Sequence, residues 1–430
     1  MTPNPSKTAP MTLDARRKLE ERLLRYARID TQSDGASESV PTTAKQLDLQ
    51  NLLVDELRGL GVADVRRNEA GFVLATVPAT TADPIPTLAF LAHVDTAADY
   101  SGAGVDPIVH RNYDGAPIVL PKDPEKRLDA RSAPELAAKV GETIVTADGT
   151  TLLGADDKAG VAVIMTLVES LLGQPKRRHG RVRVCFTPDE ETGTGIGHLG
   201  LEELGADVAY TLDGEGLGEV TYESFSADKA TVCIAGVAIH PGKAIGKMVN
   251  ALTLAAKLIN LLPEYARSPE TTSGRDGFIH LVHMSGNASE AELHFILRDF
   301  ERDGLEAHGE ALRQAVRAIA LLEPRAKLDC TIDRQYRNMR YWLENDMRPA
   351  DLAVEAVRRA GVAPKIVPIR GGTDGSQLTE RGLPTPNLFA GVHNPHGPLE
   401  WVSVEDMAKC LESCLHLVDL WADETGRKHG

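Results

Sequence analysis

The sequence predicts an α/β layered domain interrupted by a small α+β insertion. Three observations point there. Nearly all-apolar runs, PTLAFLAH (Pro86–His93), RVRVCFTP (Arg181–Pro188) and VAYTLD (Val208–Asp213), read as strands buried on both faces. Helical apolar spacing alternates with them, as in α/β proteins. Between about residues 224 and 344 the order becomes β-α-β-β-α-β, the split motif of a compact α+β domain.

Taken in order, residues 1–12 read as a loose tail. Leu19, Leu23, Tyr26 and Ile29 then recur at helical spacing and predict an amphipathic helix. A second helix spans Ala44 to Leu60 and stops at Gly59 and Gly61. Gly71 to Val77 reads as a strand, ahead of the apolar run ending at His93. Ala97 to Gly141 is rich in Pro, Gly and Asp and predicts a long irregular section, a kind of segment that tends to carry function. Gly160 to Leu172 predicts a buried helix.

In the insertion, ATVCIAGVAI predicts a strand and Ala244 to Leu262 a helix with apolar Met248, Leu252, Ala255 and Ile259. FIHLVHMSG and AELHFILRDF predict two strands joined by a turn at Gly286 and Asn287. Leu305 to Leu322 predicts a helix and KLDCTID a strand. The α/β pattern then resumes with a helix over Ala350 to Ala360, strand KIVPI, a Gly-rich turn, strand TPNLF and a closing helix from Val404 to Ala422. The expected division is therefore 13–223 with 345–430, and 224–344.

Composition bounds the function. A net charge of −15 would repel a phosphate backbone, so nucleic-acid binding is not expected. No apolar run approaches the roughly eighteen residues of a spanning helix, and MTPNPSKTAPMT carries no secretory apolar stretch. Cys185, Cys233, Cys330, Cys410 and Cys414 form no paired framework, which suits a reducing compartment and a cytoplasmic location. Cys410 and Cys414, one helical turn apart, read as core residues of the last helix rather than a metal pair.

The polar residues that carry chemistry fall at or just past the ends of apolar strands. His93 and Asp95 form HVD after PTLAFLA. Asp156 and Asp157 sit in LLGADDKAG, Glu190 and Glu191 in PDEE, Asp213 at the end of VAYTLD, and His396 in NPHGPLE. In α/β sheets ligands gather at that edge. Converging carboxylates and imidazoles are held together economically by a cation. A set of His and carboxylates without thiolate suits catalytic Zn²⁺, with Mn²⁺ or Co²⁺ as substitutes, better than Ca²⁺. Each motif is weak by itself; their order and shared position carry the expectation.

The stretches HVDT, TTLLGADDKAG, FTPDEETG, YTLDGEGLGE, IHPGKAIGKMVNAL, SPETTSGRDGF, LRDFER, PIRGGTDGSQL and LPTPNLFAGVHNPHGPLE make the chain resemble the zinc-dependent exopeptidases, the family of aminoacylases, dipeptidases and glutamate carboxypeptidases. IHPG, PETT, RDF and RGGTDG point to its peptidase T branch, the tripeptide aminopeptidases. The likeness runs from about Leu19 to about Ala422 and implies a three-layer catalytic domain with an inserted lid and dimerisation domain. It further implies two Zn²⁺ per chain. His93 and Asp213 would each bind one zinc, Asp156 would bridge, and Glu191 and His396 would complete the second site. Glu190 would be the general base and Asp95 the partner that orients His93. The ligand precedes Gly-Pro, which selects His396 and leaves His393 as a loop residue.

For substrate, the resemblance implies that His240 polarises the carbonyl and Arg298 holds a short peptide's C-terminal carboxylate. Asn250 and Arg370 are lesser candidates. A carboxylate anchor at fixed reach from the metals would favour tripeptides. The alternatives are a dipeptidase or an N-acyl-amino-acid amidohydrolase of the same family. Leu399 and Glu400 leave local substrate contacts open.

Overall fold

The computed structural model describes residues 13–263 and 267–427; the tail expected over residues 1–12 lies outside them. Two helices open the chain, α1 (Leu13–Ala27) and α2 (Gln46–Gly59). Leu19, Leu23 and Tyr26, spaced three and four apart, are fully buried, as an apolar helical stripe requires. Strands β1 (Asp64–Arg67), β2 (Val73–Val77) and β3 (Leu88–His93) follow. The section expected to be irregular holds short strands β4 (Ile108–His110), β5 (Ile118–Val119) and β6 (Arg127–Leu128), then β7 (Ile144–Thr146). Elements of two or three residues leave no periodicity to read.

Helix α3 (Ala155–Leu172) starts five residues earlier than its apolar run suggests. Strand β8 (Val182–Thr187), the single-turn helix α4 (Leu201–Leu204), and strands β9 (Val208–Gly214) and β10 (Glu219–Thr221) complete the first stretch.

The insertion contains β11 (Ser226–Ala235), α5 (Ala251–Ile259), β12 (Phe278–Gly286), β13 (Glu290–Asp299), α6 (Arg302–Leu322) and β14 (Lys327–Tyr336), the expected β-α-β-β-α-β order. Strand β11 lies four residues earlier than expected. The expected helix start at Ala244 is a loop instead, because Asn250 caps the helix: its Oδ1 accepts the Leu252 and Thr253 amides at 2.9 and 3.3 Å. The chain then runs through α7 (Arg340–Leu343), α8 (Arg348–Arg359), β15 (Lys365–Ile366), α9 (Asp374–Glu380), β16 (Asn387–Phe389), β17 (Val392–His393), β18 (Trp401–Ser403) and α10 (Val404–Arg427).

The chain divides into two compact units, residues 1–222 with 342–367 and 373–430, and residues 223–341 with 368–372. In the first, an eight-stranded mixed sheet has the order β1-β2-β8-β3-β9-β16-β10-β15. Strand β3 runs parallel to both β8 and β9. Its alternate residues enter opposite cores: Leu88, Phe90 and Ala92 join the core built with α1, α2, α3 and α10, while Ala89 and Leu91 join Ile196, Leu204 and Leu378 on the other face. Each large apolar side chain so buried contributes roughly 1.5–3 kcal/mol. Cys410 and Cys414 are buried core residues of α10. A second sheet, β17-β18-β7-β4, was not foreseen.

The second unit is a four-stranded antiparallel sheet, β12-β13-β11-β14, with α5 and α6 packed on it. Residues 368–372 belong to it: Ile369 bridges Ser224, and its carbonyl accepts the Phe225 amide at 3.0 Å. No helix among the described residues is long and apolar enough to cross a membrane.

Candidate active site

The parallel register of β3, β8 and β9 fixes the site. His93 lies opposite Thr187, and Leu91 opposite Thr211, so the C-terminal ends of three buried strands share one edge. His93 ends β3, Asp213 is the penultimate residue of β9, and Glu190 and Glu191 follow β8. Asp156 enters from the start of α3 and His396 from the loop between β17 and β18.

Among the described residues, two sets of side chains offer ligand atoms within 4.8 Å of one another: His93, Asp156 and Asp213, and Asp156, Glu191 and His396. Asp156 divides itself between them. Its Oδ1 lies 3.1 Å from His93 Nε2, and its Oδ2 lies 3.3 Å from His396 Nε2. Asp213 Oδ1 is 3.6 Å from His93 Nε2, and Glu191 Oε2 is 3.1 Å from His396 Nε2. Glu190 and Asp95 belong to neither set.

The electrostatics fit two cations. Burial pushes the carboxyl of Asp213 up, that of Glu190 well up, and that of Glu191 up to about 6. Hydrogen bonds that it donates to Asp156 and Glu191 push the His396 imidazole up to about 11. Burial would lower His93, but Asp156, Asp213 and Asp95 together raise it well above its ordinary value. The cluster thus grips protons where metal ions would neutralise it. Glu191 Oε1 is buried with no hydrogen-bond partner among the described residues, an acceptor still open to a metal. Donors of imidazole nitrogen and carboxylate oxygen in this mixture suit zinc and its first-row neighbours.

Supporting contacts hold the set in place. The His93 ring donates from Nδ1 to the main-chain carbonyl of its neighbour Asp95 at 3.0 Å, while the Asp95 carboxylate lies farther, at 3.4 Å. The contact expected from the carboxylate is thus made more closely by the same residue's carbonyl, which equally fixes the tautomer. Asp157 accepts the His93 amide at 3.3 Å and the Gly160 amide at 3.1 Å. A Cβ at Gly160 would meet Asp157 Oδ1 at 2.3 Å and the Leu212 carbonyl at 2.6 Å, so only glycine lets α3 approach here. His396 has φ +63° and Asp189 φ +57°, left-handed conformations that non-glycine residues adopt at a cost and that cluster at functional sites.

Several residues of this edge escaped sequence reasoning. Asp189, fully buried, accepts the Thr42 amide at 2.8 Å and Gln46 Nε2 at 2.6 Å, tying the Glu190–Glu191 turn to the start of α2. Asp374 accepts Thr187 Oγ1 at 2.6 Å, and burial pushes it up to about 7. Glu400, whose surroundings the sequence left open, is buried against the main chain of the Asp156 loop. The only signal for these was a carboxylate within the stretches FTPDEETG, PIRGGTDGSQL and NPHGPLE. His393 is a strand residue and not a loop residue: it stacks on Trp401 at 4.1 Å, and burial pushes it down to about 4.

The four expected substrate residues belong to the second unit. His240 is exposed, and its Nδ1 accepts the Gly242 amide at 3.1 Å. Asn250 caps α5. Arg298 donates from Nη1 to the carbonyls of Asp228 and Leu297, at 3.2 and 3.0 Å, and stands over the Tyr336 ring. Arg370 donates to the carbonyls of Gly274 and Asp276, at 3.0 and 2.9 Å, and covers Phe225 and Phe278.

Comparison with known proteins places the chain in a family. Residues 145–419 match the model of the peptidase family M20/M25/M40. Peptidase T of Geobacillus thermodenitrificans is 45% identical over 410 residues, covering 95% of this chain and all of that one. The crystal structure of aminopeptidase PepT from Bacillus cereus shares the fold with a TM-score of 0.73 at 24% identity, over 95% of this chain and 99% of that one. A dinuclear metal-binding peptidase of the M20 family from Bacillus subtilis shares it at a TM-score of 0.65 and 14% identity, over 96% and 99%. With close kinship over nearly its whole length and a matching family model, the chain belongs to the M20/M25/M40 peptidases and, within them, to the peptidase T hydrolases.

Proposed function

We propose that this hydrolase is a cytoplasmic two-zinc aminopeptidase that releases the N-terminal residue of tripeptides. The observation that carries the proposal is Asp156, one carboxylate facing two imidazoles through its two oxygens. In this account His93 and Asp213 would hold one metal, Glu191 and His396 the other, and Asp156 would serve both; Mn²⁺ or Co²⁺ would be substitutes. The bound ions supply Lewis acidity, acidifying water and polarising the scissile carbonyl.

The protein's own groups do the rest. Glu190, outside both ligand sets, takes the proton of the attacking water on its carboxylate and returns it to the leaving amine nitrogen. Asp95 holds the main chain that presents Glu190. In the second unit, the Gly242 amide occupies His240 Nδ1, so the neutral ring carries its proton on Nε2 and can donate to a carbonyl oxygen as charge develops. Arg298 donates to the main chain through Nη1, and the other donors of its guanidinium would capture a peptide carboxylate. Asn250 and Arg370 are already engaged with the main chain, so their part is to shape the loops around the substrate. The strands β12 and β14 are the outer edges of their sheet, which suits pairing with a second copy.

The test is a peptide series assayed after chelation and again after zinc is restored. A tripeptide should be cleaved at its N-terminal bond, only with metal, and with higher kcat/KM than a dipeptide, a hexapeptide or an N-acyl amino acid. Equal kcat/KM for three and six residues would contradict length selection. Preference for the dipeptide or the N-acyl amino acid would favour the alternative amidohydrolases.

A further inference from the structure

We infer that Glu400 is a positioning residue that presets Asp156 for both metals. Its carboxylate accepts three main-chain donors from a stretch of four residues, Leu153 to Asp156. Oε2 takes the amides of Leu153 and Gly154 at 2.8 and 2.7 Å, and Oε1 takes the amide of Asp156 itself at 2.9 Å. Glu400 is 1% exposed, so these bonds are shielded from water.

The Leu153 and Gly154 amides lie just before α3 and the Asp156 amide in its first turn, where any helix leaves N–H groups without partners. Asp156 departs from helical geometry there, with φ −81° and ψ 103°. Nothing within the helix therefore fixes its amide, and Glu400 does. Gly154, at φ +72°, brings its own amide to the same carboxylate.

Glu400 is itself anchored. It immediately precedes β18, whose Trp401 pairs with Thr146 and is fully buried. Its amide donates to the Gly397 carbonyl at 3.2 Å, closing a turn that directly follows His396 in the same loop. One loop thus supplies a ligand of the second set through His396 and, through Glu400, holds the carboxylate common to both sets. Displacing Glu400 would disturb both metal positions, although it lies in neither ligand set.

The inference rests on the two-metal proposal. It is tested in Glu400→Gln, whose amide nitrogen would confront a backbone donor, and in the shorter Glu400→Asp. Zinc affinity is measured by competition with a chromophoric chelator at a temperature where the metal-free variant is folded. Both zinc ions should bind about 10–100-fold more weakly than in the wild type, while the metal-free melting temperature shifts by a few degrees at most. A simple helix cap would lower the melting temperature and leave the affinity of the folded protein unchanged, and that result overturns the inference.

Amide hydrogen exchange in the metal-free wild-type protein is a second readout, independent of how the variants fold. Leu153, Gly154 and Asp156 should be protected without any metal; rapid exchange there overturns the inference. A wild-type chain that binds fewer than two zinc ions would instead sink the two-metal proposal and leave the exchange result standing.

Discussion

The carboxylate of Asp95 holds the main chain of Glu190: Oδ1 accepts the Glu190 amide at 3.0 Å, and Oδ2 accepts the next amide, of Glu191, at 3.2 Å. Asp95 therefore orients Glu190, the proposed general base, and Glu191, a proposed metal ligand, together, while its own carbonyl orients His93. Replacing it with Ala should reduce kcat about 10–100-fold, the usual cost of removing a partner that orients such groups. Steady-state kinetics on a tripeptide at saturating zinc checks this. An unchanged kcat would separate Asp95 from the chemistry.

Metal stoichiometry should follow the sharing of Asp156. His396→Ala should lose tight binding of one zinc and His93→Ala the other, whereas Asp156→Ala should weaken both. Elemental analysis after dialysis against a weak chelator reads this directly. Two retained zinc ions in Asp156→Ala would show that the ions are not bridged.

Arg298 and Arg370 should separate by phenotype. Arg298→Ala should raise KM for tripeptides about 10–100-fold, as expected for a charged hydrogen bond, and leave KM for C-terminally amidated peptides unchanged. Arg370 ties down the segment from Thr272 to Asp276 through four hydrogen bonds, so Arg370→Ala should lower the melting temperature of the protein more than it alters KM. A matching KM effect on amidated peptides would remove Arg298 from carboxylate recognition.

The Arg22 guanidinium, nearly buried, joins three helices by reaching Glu56 at 2.7 Å, Glu169 at 2.8 Å and Thr166 at 2.9 Å. Arg22→Met leaves two carboxylates short of their partner and should cost about 3 kcal/mol, the scale for breaking a buried pair. Urea unfolding of the metal-free protein measures it; a change well under 1 kcal/mol would mean that Lys18 and Arg25 compensate.

Much of the catalytic edge was legible because apolar strands announce themselves and their polar ends then stand out. His93, Asp213 and the Glu190–Glu191 pair follow from that rule alone, and parallel pairing of β3 with β8 and β9 brings them to one edge. The supporting groups were not legible. Asp189, Asp374 and Glu400 bond to partners distant in the chain, and no local pattern encodes which amide a carboxylate will meet. The small β17-β18-β7-β4 sheet escaped for a different reason: its strands of two or three residues are too short to alternate visibly. The helix boundary at Asn250 was misjudged because apolar spacing continued past it, while the side chain competed for the helix amides and won.

Turnover of Glu190→Gln with zinc fully loaded is the most direct test of the central claim, that Glu190 moves the proton beside a pair of metals. The substitution keeps the shape of the side chain and removes the base. Tripeptide kcat should fall by about 10²–10⁴-fold with two zinc ions still bound. Activity within tenfold of the wild type would contradict the account.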